Sequence, residues 1–168
     1  MSSHFELFGL APAFAVDAAA LDLAYRGIQS RVHPDRFAHA GDAERRASMQ
    51  WTTRVNEAYR TLKSPVQRAR YLLELNGVDV GFETNTRMPA DFLLRQLELR
   101  ETLAGAKLPE ALDALLAEVR REQRLLEQGI AQLIDDRKDY AAAAGEVRKL
   151  MFLDKLAAEI DLAYEKVE

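Results

Sequence analysis

Residues 17–37 read DAAALDLAYRGIQSRVHPDRF, an amphipathic segment that runs into the tripeptide His33-Pro34-Asp35. Asp17 is suited to cap a helix, because its carboxylate accepts hydrogen bonds from the first free amides. One apolar stripe follows at steps of four, three and four residues: Leu21, Tyr25, Ile28 and Val32. A residue before proline avoids the α-helical region, and proline has no amide hydrogen to donate. The segment therefore predicts a helix to about Val32 and a loop from His33.

Two more helices are predicted before residue 77. Asp42 is predicted to cap the first of them, and Ser64-Pro65 to end it and begin the next as N-cap and first residue. Asn76-Gly77 closes that one. The longer helix has a predicted apolar face made of Ala47, Trp51, Val55, Ala58, Tyr59 and Leu62. Residues 1–76 are thus predicted to form a helical hairpin with short flanking helices.

The remainder of the chain predicts a linker and a helical bundle. Residues 77–89, GVDVGFETNTRMP, contain two glycines and a final proline but no helical stripe, which is typical of a linker. Pro89, Pro109 and Asp139 then mark three helix starts. The second and third of these helices carry seams of Leu112, Leu116, Val119, Gln123, Leu126, Ile130 and Leu133, and of Val147, Leu150, Leu153, Ala157, Ile160, Tyr164 and Val167. We predict an all-α protein in which residues 90–168 form an antiparallel three-helix bundle.

Composition excludes several classes of function. The chain has 168 residues, of which 48% are hydrophobic and 30% charged, and its lack of cysteine excludes disulfides, thiolate metal sites and cysteine nucleophiles. A net charge of −4 argues against nucleic acid or a membrane surface as the main ligand. No apolar run is long enough to span a bilayer and no targeting segment is evident, so we expect a cytoplasmic protein.

Charge also divides the chain. Residues 1–76 hold 10 Lys or Arg and 8 Asp or Glu, a net charge of +2, whereas residues 77–168 have a net charge of −6. The two halves are therefore predicted to meet different partners.

The turn His33-Pro34-Asp35 is the most informative local feature, since a polar turn between two helices is placed to meet a partner. An enzymatic interpretation would make His33 a general base oriented by Asp35. The sequence offers no nucleophile, phosphate-binding loop or second carboxylate nearby to complete such a site. His4, His33 and His39 also lack the spacing of metal ligands. We expect no catalysis, metal or cofactor, and the plain interpretation is a helix-ending turn.

The predicted helix after Pro89 has two faces. With Phe92 at 0° and 100° per residue, Gln96, Leu99 and Leu103 lie within about 40° of it and are suited to pack the bundle. A second apolar strip remains, formed by Leu93, Leu94 and Leu97, with Glu98 and Glu101 at its edges. On the last helix, Phe152 lies roughly opposite the seam. Either these residues bind a partner, or the helix touches two neighbours and they belong to the core.

Here a family resemblance enters. An amphipathic helix carrying Arg26, the His-Pro-Asp loop and the segment NEAYRTL at 56–62 resemble a J domain. Three further segments are similar to those of the HscB family, the J-type co-chaperones of iron–sulfur cluster assembly: YLLELNG (71–77), FLLRQLELRE (92–101) and VRKLMFLDKL (147–156). The resemblance covers nearly the whole chain. Without a cysteine-rich N-terminal segment, the chain resembles the bacterial form.

The resemblance implies two sets of functional residues. Contact with an HscA-type chaperone ATPase, of the heat-shock-protein-70 class, would involve His33, Pro34, Asp35, Arg26, Gln29, Arg31 and Arg36. Contact with an IscU-like iron–sulfur scaffold protein would involve Leu93, Leu94, Leu97, Glu98, Glu101 and Phe152. The protein would act as a monomer and would not itself be an enzyme. The alternatives are a J-protein with another client, a helical adaptor without ATPase stimulation, or a homodimer closed by the leucines.

Overall fold

The computed structural model describes residues 2–81 and 88–167, in which helices are joined by loops and no β-strand occurs. These ranges form seven α-helices: α1 (His4–Leu7), α2 (Ala18–Val32), α3 (Asp42–Lys63), α4 (Pro65–Leu75), α5 (Ala90–Gly105), α6 (Pro109–Ala131) and α7 (Tyr140–Val167). A 3-10 turn, Pro34–Phe37, follows α2, and a π-helical turn, Gln132–Asp136, extends α6. The predicted all-α fold is confirmed.

The chain forms two compact units, Met1–Leu72 and Leu73–Glu168, and the division between them falls inside α4. The domain boundaries expected from the sequence, at 1–76, 77–89 and 90–168, remain predictions. Most of the predicted linker, residues 82–87, lies outside the described residues.

In the first unit α2 and α3 pack as an antiparallel pair. Asp22, early in α2, bonds to Lys63 at the end of α3, whereas Val32, at the end of α2, meets Ser48 near the start of α3. The buried apolar residues of this unit come from α1 to α4 and the loop before α2: Phe5, Phe8, Phe14, Leu21, Val55, Ala58, Leu62, Val66, Ala69 and Leu72. This is the helical hairpin that the sequence predicts.

Two predicted helix starts are confirmed by their hydrogen bonds. The Asp17 carboxylate accepts from the amides of Ala19 and Ala20, at 2.9 and 3.2 Å. The Ser64 hydroxyl accepts from the Gln67 amide at 3.3 Å, one residue before α4 begins at Pro65. In each case a side-chain oxygen takes up an amide that the helix leaves free.

The start of α3 differs from the prediction in two ways. Gly41 is its N-cap, and Asp42 is its first residue, where the carboxylate lies beside the positive end of the helix. Ala47 and Trp51, expected in the apolar face, are exposed, and Ser48 is buried instead. Ser48 is turned inward because its hydroxyl bonds to the Val32 carbonyl at the end of α2, whereas the Trp51 ring lies at the surface with the Arg54 guanidinium 5.1 Å from its centroid.

The second unit is a three-helix bundle in which α6 and α7 form the most extensive helix–helix interface. Gln123 of α6 bonds to Asp154 of α7, and Asp113 near the start of α6 bonds to Tyr164 near the end of α7, so these two helices run antiparallel. The central cluster draws on all three helices: Leu99, Leu112, Leu115, Val119, Leu153, Leu156, Ala157 and Ile160. The predicted bundle is confirmed.

The seam predicted for α6 is correct in part. Its buried members are Leu112, Val119, Gln123 and Ile130. Leu116, Leu126 and Leu133 are only half-buried, and Leu115 and Ile134 are buried in addition. Leu115 is buried because α6 packs on two neighbours, so its buried face is wider than a two-helix seam. Beyond Ala131 the π-turn rotates the helix face by one residue, from 133 to 134. On α7 the predicted seam is buried from Val147 to Ile160, whereas Tyr164 and Val167 are half-buried.

The polar residue in the α6 seam is bonded on both sides. Gln123 is 5% exposed, donates to the Asp154 carboxylate at 2.7 Å and accepts from the Arg120 guanidinium at 3.0 Å. Burial raises the pKa of Asp154, and the Gln123 hydrogen bond and the charge of Arg120 oppose that rise. Because the folded-state pKa exceeds the ordinary value, ionising Asp154 opposes folding.

We predict that Asp154→Asn stabilises the protein at neutral pH. The amide oxygen still accepts from Gln123, but no buried charge forms. The stability linked to a protonated Asp154 is fully present below the ordinary aspartate pKa and is lost as pH rises through the raised one. Urea unfolding should therefore give the variant the higher midpoint at pH 7, and the difference should shrink on acidification. A lower midpoint at pH 7 would mean that the attraction to Arg120 outweighs burial.

Candidate functional site

The His33-Pro34-Asp35 loop, called the HPD loop below, lies at the exposed end of α2. His33 has φ −58° and ψ 134°, the extended geometry that a following proline requires. Its Nδ1 accepts from the Asp35 amide at 3.2 Å and lies 3.4 Å from the Asp35 carboxylate. With Nδ1 as the acceptor, the neutral ring carries its proton on Nε2. The side chains of His33 and Asp35 are 47% and 91% exposed, so both are accessible to a partner.

This geometry gives no support to the enzymatic interpretation. His33 and Asp35 lie in open solvent, whereas catalytic groups work in sites that exclude water. Over residues 2–81 and 88–167, no three histidine or acidic side chains come together as a metal site.

Two cationic side chains next to the HPD loop in the sequence are fixed by hydrogen bonds to backbone carbonyls of α2. Arg31 donates to the carbonyl of Gly27 at 3.3 Å, and Arg36 donates to the carbonyl of Ser30 at 3.1 Å. Both cations therefore lie at the negative end of α2, where the helix dipole favours them. Arg26 is exposed on the same helix, about two turns before His33.

Gln29 takes part in a hydrogen-bond network between α2 and α3 that the sequence did not predict. Its amide donates to the Tyr25 hydroxyl at 3.3 Å, and that hydroxyl donates to Asn56 of α3 at 2.6 Å. The Tyr25 ring also stacks on Tyr59 with centroids 4.0 Å apart. Gln29 is half-buried, so this expected contact residue also joins α2 to α3.

A charged group on the same interface reinforces this pairing. The Asp22 carboxylate accepts from Lys63 at 2.8 and 3.0 Å and from the Tyr59 hydroxyl at 2.7 Å. These hydrogen bonds, the one from Lys63 above all, lower the pKa of Asp22, and the bond to Asp22 raises the pKa of Tyr59. The polar groups thus align the two helices that hold the HPD loop.

The second surface is the leucine strip, defined as Leu93, Leu94 and Leu97 on α5. These side chains are 49%, 63% and 55% exposed. Residues on the opposite face are turned inward, as the helical wheel predicts: Gln96 and Leu99 are buried, and Phe92 and Leu103 half-buried. Glu98 and Glu101 are exposed beside the strip. The leucines are therefore surface residues, not core residues.

Phe152 of α7 is less exposed than the sequence predicts. It is half-buried rather than fully exposed, because its ring packs edge-on against Phe92 of α5, with centroids 6.3 Å apart and planes inclined by 69°. That contact places it at the α7 side of the helix that carries the leucine strip.

Arg95 is a site residue that sequence reasoning missed. Its guanidinium donates to Glu122 at 2.6 Å, to Glu118 at 3.0 Å and to Glu98 at 3.3 Å. These carboxylates, Glu122 above all, raise the pKa of Arg95. The side chain therefore ties α5 to α6 and holds Glu98 at the edge of the leucine strip. Its partners lie 23 and 27 residues away, beyond any local pattern.

Arg100 supplies a matching tie on the other side of α5, to Glu159 of α7 at 2.6 Å. Buried side chains on α5 itself, among the described residues, are Gln96 and Leu99. Ion pairs thus make up part of what holds the helix that displays the strip.

An exposed HPD loop on a helical hairpin, followed by a three-helix bundle, is the architecture of a J-type co-chaperone. The family model described as the HSCB C-terminal oligomerisation domain matches residues 88–161. The HscB co-chaperone homologue of Burkholderia multivorans is 53% identical, covering 99% of this chain and 96% of the relative. The chain belongs to the HscB family of co-chaperones.

Solved structures agree with this assignment. The chaperone HscB from Vibrio cholerae has a TM-score of 0.86 and 35% identity, covering 99% of this chain and 100% of that one. Human co-chaperone protein HscB has a TM-score of 0.91 and 29% identity, covering 96% and 82% respectively. These relatives are named as chaperones or co-chaperones rather than as enzymes. Within the described residues, no helix combines the length and the apolar character needed to cross a bilayer.

We predict that Leu94→Ala leaves the free energy of unfolding within about 0.5 kcal/mol of the parent, because the side chain is already in water. Leu153→Ala, which removes a fully buried side chain, should cost about 2–5 kcal/mol. Urea unfolding of the full chain measures both. A comparable loss in the two variants would make Leu94 a core residue.

Proposed function

We propose that this protein is a cytoplasmic, monomeric co-chaperone of iron–sulfur cluster biogenesis. Its second unit binds an IscU-like scaffold protein, and its HPD loop stimulates the ATPase of an HscA-type chaperone of the heat-shock-protein-70 class. The observation that carries the proposal is the exposed leucine strip on a chain whose other unit displays the HPD loop. Membership of the HscB family supports both halves.

Charge supports the chaperone half. Arg31 and Arg36 are held on the last part of α2 beside the loop, Arg26 is exposed on the same helix, and residues 1–76 carry a net charge of +2. Such a surface favours and steers approach to an acidic patch on the ATPase. The loop acts on the chaperone's own catalytic groups: it supplies only the free energy by which it binds the hydrolysis-competent state better than the resting state.

Exposure of apolar surface supports the scaffold half. Three leucines that each leave about half of their side chain in water offer a compact apolar patch, and covering one leucine contributes about 1 kcal/mol or more. Glu98 and Glu101 beside it favour a partner with basic side chains around an apolar centre. The chain has no cysteine, so the scaffold provides the cluster's ligands.

A second candidate function is self-association through the leucine strip, and the oligomerisation named in the matched family model favours it. Pairing two strips would bring Glu98 and Glu101 of both copies together, and like charges in one interface are unfavourable. Light scattering distinguishes the two candidates. A monomer at high concentration excludes the dimer.

We predict that His33→Gln abolishes stimulation of the chaperone's steady-state ATPase, measured with scaffold present, because the ring that orders Asp35 is lost. Scaffold affinity should be unchanged, since the leucine strip lies in the other unit. Stimulation by the variant equal to that of the wild type would exclude the HPD loop as the trigger.

We predict that Leu94→Ala and Phe152→Ala each weaken scaffold binding about tenfold, which corresponds to about 1.4 kcal/mol of lost contact. Titration calorimetry measures the affinity. Leu162→Ala is the matched control, because Leu162 is an exposed leucine of α7 outside the strip. Binding that survives the strip variants, or weakens equally in the control, contradicts the assignment. Affinity should also fall with salt if the glutamates contribute.

A further inference from the structure

The C-terminal end of α2 needs hydrogen-bond donors that the backbone amides following the helix do not supply. A helix leaves its last four carbonyls without intrahelical partners, and a following backbone amide often bonds to one of them. Pro34 has no amide hydrogen, and the extended His33 carries the chain away from the helix axis. Donors for the last carbonyls therefore come from side chains or from water.

Two hydroxyls of α3 supply those donors at Val32, the last residue of α2. Ser48 donates to the Val32 carbonyl at 2.8 Å, and Thr52 donates to the same oxygen at 3.0 Å. Residues four apart share one face of a helix, so the two hydroxyls converge on one acceptor. A carbonyl oxygen has two lone pairs, which this arrangement fills.

The acceptor, and for Ser48 also its burial, separates this pair from ordinary helix hydroxyls; Thr52 is half-buried. Ser48 is 4% exposed, although its neighbours Ala47 and Met49 are exposed. Thr53, by contrast, donates to the carbonyl of Met49 in its own helix, the usual bond of a helical threonine. Ser48 and Thr52 instead reach across to another helix, one peptide bond before His33.

The HPD loop beyond this point is a small hydrogen-bonded unit. The Arg36 amide donates to the His33 carbonyl at 3.0 Å, and the Asp35 amide donates to His33 Nδ1. This unit joins α2 through the Val32–His33 peptide bond, and the Arg36 guanidinium also ties it to the Ser30 carbonyl at 3.1 Å. Because the Val32 carbonyl belongs to that peptide bond, the groups that hold it influence the direction in which His33 and Asp35 face.

We propose that Ser48 and Thr52 are positioning residues that orient the HPD loop for the chaperone. This inference rests on the chaperone half of the proposed function. Neither hydroxyl touches the chaperone in this assignment. Each acts through Val32 by keeping the loop in one orientation before it binds, which removes an ordering cost from the encounter.

The test compares Ser48→Ala, Thr52→Val, the double variant and Thr53→Val, the matched control. Chaperone ATPase is titrated with each variant at a temperature where circular dichroism shows all of them folded. Because one hydroxyl still satisfies the carbonyl, each single variant should lose less than about threefold in stimulation, whereas the double should lose about tenfold or more. Thr52→Ser and Thr53→Val should act like the wild type.

A second readout does not depend on the chaperone. Hydrogen exchange at the Arg36 amide should quicken about tenfold in the double variant and stay unchanged in Thr53→Val, while mid-helix amides of α2 and α3 keep their protection. A merely structural role would instead raise exchange throughout the helix pair. Scaffold affinity serves as a further control and should not change.

The outcomes are distinguishable. Two results overturn the positioning role. One is full stimulation by the double variant. The other is a loss in the double variant that only adds the two single losses and is equalled by the Thr53→Val control. Failure of the wild type itself to stimulate overturns the proposed function, and hydrogen exchange then decides alone whether the two hydroxyls hold the loop. Slow exchange in the double variant would show that they do not.

Discussion

The first unit depends on one peptide bond, between His33 and Pro34. Proline cannot donate to the helix and forces the preceding residue into an extended conformation, so α2 must end at Val32. This single constraint exposes the loop and leaves helix carbonyls in need of donors. Arg36, Ser48 and Thr52 provide them. The display of His33 and the hydrogen bonds that Ser48 and Thr52 of α3 make to the end of α2 thus follow from the same missing amide.

Helix ends were predictable from the sequence because they depend on local chemistry. Asp17, Ser64-Pro65 and Pro109 lie where the structure begins its helices, since a cap or a proline acts within one turn. Faces were harder to predict. Apolar character placed Trp51 inside, yet Trp51 is exposed, and the polar Ser48 is buried because it bonds to a carbonyl oxygen of α2.

The candidate site residues also include some that a local sequence pattern could suggest and some that only the fold brings together. The wheel of α5 placed Leu94 in a second apolar strip but left open whether that strip lies in the core or on the surface, and the fold shows that Leu94 is exposed. The role of Arg95 could not be predicted, since Glu118 and Glu122 come near it only when α6 folds back along α5. A sequence pattern identifies which side chains share a face, and only the fold decides which charges meet.

The construction of α5 explains how an exposed apolar strip is tolerated. Within the described chain the buried residues of α5 are Gln96 and Leu99, so hydrophobic burial contributes little to holding α5 in the bundle. Ion pairs from Arg95 and Arg100 add ties on the two sides that face α6 and α7. Partly exposed pairs each contribute about 1 kcal/mol or less, and together they connect α5 to both of its neighbours in the bundle. Glu98 and Glu101 are exposed beside the strip, so pairing two copies of the strip would bring like charges together.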